Sequence, residues 1–145
     1  LAPSGGTPTE RLFASADSDP ANNRFILYGQ SDTRGTGVIP DPFWELSLGV
    51  TPAWTQLMPW TGPEARVSHM AIYDAPRNRM IVVGGHAYPV DYGDVWSLSL
   101  GAAPQWTEIT PAGTPLVLIG GAAIRDSLRN KNGQILVKGR QEFFL

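Results

Sequence analysis

The chain contains no cysteine, which excludes disulfides, thiolate nucleophiles and cysteine-ligated metal centres. It has only two histidines, His69 and His86, on separate segments. A transition-metal site usually takes several His, Cys or carboxylate ligands, so no catalytic metal and no other cofactor is expected, carboxylate-bound calcium near Asp91 or Asp94 being the exception. No G-x-S-x-G elbow occurs, and Gly120-Gly121 begins no G-x-G-x-x-G fingerprint and follows no βαβ pattern. No catalytic residue can be assigned.

Charge of one sign is also missing. The 11 basic and 13 acidic residues are scattered singly for a net charge of −2, leaving no basic stripe for a phosphate backbone, so nucleic acid is not an expected partner. The longest apolar stretch, Leu116 to Ala123, is broken by Gly120-Gly121 and falls far short of the roughly 20 residues that span a bilayer. No membrane span is expected. No charged-then-apolar leader is seen at Leu1, so any signal peptide is expected to be cleaved or to lie outside this stretch.

Turn formers, by contrast, are abundant. The 16 glycines and 13 prolines make up a fifth of the 145 residues, against roughly 12% on average. Between them lie runs such as Phe25-Ile26-Leu27-Tyr28 and Met80-Ile81-Val82-Val83, rich in the β-branched and aromatic residues of strands. Helical periodicity is nowhere sustained.

The runs recur. Arg11 to Asp19 (RLFASADSD), Arg66 to Asp74 (RVSHMAIYD) and Leu118 to Asp126 (LIGGAAIRD) superimpose without gaps. Each is followed by an Asn-containing turn and an apolar run, predicting three β-hairpins. Downstream, Phe43-Trp44-Glu45-Leu46-Ser47-Leu48-Gly49 matches Val95-Trp96-Ser97-Leu98-Ser99-Leu100-Gly101, and Trp54-Thr55-Gln56-Leu57 matches Trp106-Thr107-Glu108-Ile109. The length difference between the two units sits in the loop after the second strand. Four strands in about fifty residues make one propeller blade. The chain divides into 1–10, the end of a preceding blade; 11–65, a blade; 66–117, a blade; and 118–145, the first half of a further blade.

Arg66-x-x-His69 before Ala71-Ile72-Tyr73-Asp74, Asn78-Arg79-Met80 before a strand ending in Gly84-Gly85, Asp94-Val95-Trp96, and Trp106-Thr107 resemble the kelch repeat of galactose-oxidase-like propellers. The first unit departs from this pattern at Ala14, Gly29-Gln30 and Pro42, and the third at Leu118, Gly121 and Lys138-Gly139. The expected fold is all-β, with four-stranded antiparallel blades of kelch type in an incomplete ring. The resemblance implies that Arg11 and Arg66 bond to loop carbonyls while Asp19, Asp74 and Asp126 close the following turns. Trp44, Trp96, Trp54 and Trp106 suit packing between blades, and Gly84-Gly85 suits positive φ or close backbone approach.

The segments Ser31 to Asp41 and His86 to Gly93 read as long loops, and loops carry function on rigid scaffolds. His86, Tyr88, Asp91 and Tyr92 are the candidate ligand-binding residues. The favoured function is a non-catalytic binding or assembly scaffold for a protein or glycan, partnered by the remaining blades, from the same polypeptide or from neighbouring chains. The alternatives are the propeller domain of a galactose-oxidase-like or other carbohydrate-active enzyme, against whose cysteine-crosslinked copper chemistry the missing cysteine counts, and an oligomeric propeller lectin. A secreted or bacterial cell-surface location is favoured over a cytoplasmic one.

Overall fold

The computed structural model describes residues 2–8, 11, 14–29, 43–57, 62–110, 117, 119–125, 135–138 and 142–144. Loop Ser31 to Asp41, the Asn130 to Gly133 turn and Asp126 lie outside the described residues. The elements are β1 (Ser4–Gly5), β2 (Ser15–Asp19), β3 (Arg24–Tyr28), β4 (Phe43–Ser47), β5 (Ala53–Leu57), β6 (Met70–Asp74), β7 (Arg79–Ala87), β8 (Val90–Ser99), β9 (Trp106–Ile109), β10 (Ala122–Arg125), β11 (Ile135–Lys138) and β12 (Glu142–Phe144). Among the described residues a single 3-10 turn, Ala75–Arg77, interrupts them. Among the described residues no helix is long and apolar enough to cross a membrane.

The fold is all-β, an incomplete set of propeller-like blades. β2 to β5 form one antiparallel meander, β6 to β9 a second, and β10 to β12 a third. The two complete meanders share one register: Asp19 faces Arg24 as Asp74 faces Arg79, and Leu27 faces Trp44 as Val82 faces Trp96. The inner strand of the second meander, β6, lies between β2 and β10, so the three inner strands run side by side.

The side-chain period of two gives strands such as β3, β6 and β7 two apolar faces, as sheets stacked on both sides require. Ile26, Tyr28 and Phe43 of the first blade pack against Tyr73, Met80, Val82 and Leu98 of the second. The second blade's opposite face, Met70, Ile72, Ile81, Val83 and Val95, packs towards Ala123 of the third. Each such side chain, once buried, is worth roughly 1.5–3 kcal/mol. Polar ties cross the first joint as well: the Asp17 carboxylate accepts the Tyr73 backbone N–H at 2.7 Å, and Arg24 donates to the Leu100 carbonyl at 3.3 Å.

Two features differ from the sequence expectation. Ser4–Gly5, placed by sequence at the end of a preceding unit, runs parallel to β5 as a fifth strand on the outer edge of the first sheet. Gly5 is at φ 86°, where a Cβ would stand 2.4 Å from the Trp54 carbonyl oxygen, so only glycine permits this approach. The segment His86 to Gly93 is not a long loop. β7 and β8 continue through it, pairing Gly85 with Tyr92, His86 with Asp91 and Ala87 with Val90, and only Tyr88-Pro89 turns the chain.

Candidate binding surface at the hairpin end

An antiparallel meander sends its connections to two opposite ends. One end carries the turns after β2, β4, β6 and β8. There Asp19, fully buried, accepts hydrogen bonds from Asn22 Nδ2 at 2.7 Å and Arg24 Nε at 2.8 Å. Burial alone would raise its pKa, but these bonds hold it below the usual carboxylate value. Asp74, 1% exposed, accepts from Arg77 at 3.1 Å and Arg79 Nε at 2.9 Å. Asn23 and Asn78 adopt positive φ of 51° and 45°, and their carbonyls accept from the Leu48 and Leu100 N–H groups. Both aspartates are thus spent on closing turns.

The other end carries the β7–β8 hairpin and the blade-to-blade links. Arg66 anchors it. Its side chain, 1% exposed, donates from Nε to the Glu64 carbonyl at 3.0 Å, from Nη1 to the Gly84 carbonyl at 3.1 Å, and in bidentate fashion to Asp94. Asp94 also accepts the Trp96 indole N–H at 2.7 Å. The guanidinium lies 3.9 Å from the centre of the Tyr92 ring, whose hydroxyl donates to the Glu64 carboxylate. That bond, with burial second, raises the Tyr92 pKa.

The double glycine makes room for this. The register of β7 shifts between Val83 and Gly85. Gly84 and Gly85 stand at φ 61° and 110°, and a Cβ on Gly85 would meet the Val67 carbonyl at 3.0 Å and Arg66 Cδ at 3.1 Å. Past the bulge, Val67 and His86 exchange two backbone hydrogen bonds of 2.9 Å, locking the hairpin base to the link.

The first unit repeats only part of the brace. Arg11 donates to the Gly29 carbonyl as Arg66 does to Gly84. Pro42, however, stands at the position of Asp94, and Trp44 Nε1 is buried without a hydrogen-bond partner among the described residues. The edge-to-face tryptophan pairs do recur, with centroids 6.4 Å apart for Trp44 and Trp54 and 6.2 Å for Trp96 and Trp106.

His69, 5% exposed, is tilted against Tyr28 of the first blade at 4.7 Å. Its ring nitrogens lie near the backbone of Arg66 and Tyr28 without a hydrogen bond of good geometry. Burial, reinforced by the Arg66 charge, lowers its pKa to about 4, so it is a neutral packing residue at neutral pH.

Of the four candidate ligand residues, the structure brings three to solvent. His86 Nδ1 is 2.5 Å from Asp91 Oδ1, and both side chains are partly exposed. Tyr88, at the tip, is 91% exposed. Tyr92 is instead engaged by Arg66 and Glu64. Glu64, which sequence reading missed, carries no repeat signal, because the matching position in the first unit is Thr9. Val90, Val117 and Ile119 add exposed apolar surface to the same end. Among the described residues no three His, Asp or Glu side chains converge to hold a metal ion. The chain matches no protein-family model and no curated protein, so its chemistry is read from this geometry alone.

Proposed function

We propose that the chain is a kelch-like propeller segment that acts as a non-catalytic binding scaffold, recognising a protein or glycan through the β7–β8 hairpin. One observation carries the reading. A buried arginine, a carboxylate pair and a double glycine rigidify the hairpin base, while the tip holds an almost fully exposed tyrosine beside a paired imidazole and carboxylate. Tyrosine presents a large amphipathic surface at small entropic cost, and a preorganised base lowers the ordering cost of binding. The recurring arginine-to-glycine brace and Asp–Arg turns support the kelch likeness.

The test is a screen of wild type and Tyr88→Ala on glycan and peptide arrays. A ligand that binds wild type and loses about tenfold or more with Tyr88→Ala is expected, by analogy with exposed aromatic anchors. A signal insensitive to Tyr88→Ala, or no signal on either array, would overturn the reading.

A further inference from the structure

A titratable side chain sits inside the joint between the first and second blades. His69 ends the link into β6, and Gly85 of β7 lies against it: a Cβ on Gly85 would stand 3.1 Å from His69 Cβ. In the first blade a Cβ on Gly29 would stand 2.8 Å from Ala14 Cβ. His69 and Ala14 thus hold one place in the repeat, which Gly121 takes in the third unit. The second unit alone puts an ionisable group there. Its imidazole reaches across to the first blade, with its centroid 4.7 Å from that of Tyr28, whose ring stacks on Phe43 and meets Trp106 edge-on.

This place suits the neutral ring. His69 is 5% exposed, and among the described residues neither ring nitrogen has a hydrogen-bond partner of good geometry. The groups that face it are uncharged or of the wrong sign. β3 brings the Tyr28 phenol and β7 brings Gly85, while its own link brings the Arg66 guanidinium. The carboxylate that β8 contributes, Asp94, is bound to Arg66 and the Trp96 indole. A protonated imidazole would bury two donors without acceptors beside a like charge, and burial with that charge brings its pKa down to about 4. In water both donors are hydrated and the ordinary value of about 6.5 returns. Protonation therefore favours any state in which this ring reaches solvent.

We propose that His69 is an acid-operated release for the joint between the first and second blades. Its protonation populates a state in which the two sheets part while each stays folded, uncovering the apolar surface of Tyr28, Phe43, Met80, Val82 and Leu98, which the closed joint buries. The release is independent of any ligand at the hairpin.

Hydrogen–deuterium exchange on the full chain tests it, read residue by residue by NMR and corrected for the intrinsic effect of pH. The reporter is the Tyr73 amide, which donates across the joint to the Asp17 carboxylate at 2.7 Å. Val82, 0% exposed in the central strand β7, reports opening of the blade itself. From pH 7 to pH 5 the Tyr73 opening constant is expected to rise about 20-fold in wild type, the factor set by a pKa of about 4 closed and 6.5 open. His69→Leu, which keeps Asp17 and its titration, is expected to show no such rise. At pH 5 the wild type should keep its native circular dichroism, with Tyr73 opening more readily than Val82. A Tyr73 constant that stays level, or that rises equally in His69→Leu, overturns the proposal. So does one equal to that of Val82, because the blades would then part only by unfolding together. If His69→Leu does not fold, His69→Ala, which copies Ala14 of the first blade, replaces it with the same expected outcomes.

Discussion

At the residue scale, Arg66 decides most. It is buried, and four acceptor atoms surround its guanidinium. Arg66→Ala leaves Asp94 and the Gly84 carbonyl without their donor, and a loss of about 3–5 kcal/mol is expected in urea unfolding. Arg66→Lys keeps the charge but not the bidentate fork, so it recovers only part of that loss.

His69 gives a pH dependence with a defined sign. Its folded pKa, about 4, lies below the ordinary histidine value of 6.5, so the unfolded chain takes up the proton first. The neutral histidine's contribution is complete above pH 6.5 and is lost as pH falls from there to about 4. The total reaches about 3 kcal/mol. Urea midpoints measured across that window should fall in wild type and stay flatter in His69→Leu.

At the element scale, the two blades form a natural comparison. Asp94 serves both Arg66 and Trp96, whereas proline fills the matching place before Trp44. If the sequence match of Pro42 to Asp94 extends to their roles, Pro42→Asp gives the Trp44 indole the acceptor that Asp94 gives Trp96, and a gain of about 1 kcal/mol in unfolding free energy is expected. Gly85→Ala works in the opposite direction. Positive φ of 110° and contacts at 3.0 and 3.1 Å leave no room for a methyl group, so a loss of about 2 kcal/mol is expected by thermal or urea unfolding.

At the scale of the whole molecule, stability comes from stacking sheets, and a residue's cost depends on which joint it occupies. Met80 and Phe25 hold the same repeat position, yet Met80 is 0% exposed and Phe25 40%. Met80→Ala should cost about 2–5 kcal/mol in unfolding experiments. Phe25→Ala should cost less than half as much. Equal losses would show that the first blade's face is as well covered as the second's.

The sequence by itself determined the strands, their meander order and the repeat. Those follow from short-range chemistry: alternating apolar residues, Asn and Gly at positive-φ turns, the gapless match of Arg11 to Asp19 with Arg66 to Asp74, and the match of Trp44 to Trp96 beyond a loop of different length. It also marked the segment His86 to Gly93 as a place to seek a site, though as a loop. Only the tertiary structure decided how that site is divided. Tyr92 turned inward because Arg66 and Glu64 reach it across the link, whereas Tyr88 stayed in solvent because no described residue packs on the tip. Glu64 could not be read beforehand, since its partner is 28 positions away and the first unit has no counterpart. The length of β7 and β8 was likewise set by the Val67–His86 bridge, and the place of Ser4–Gly5 by an open edge on β5. Pairings between distant segments depend on which surfaces meet once the sheets stack, and local periodicity carries no record of that.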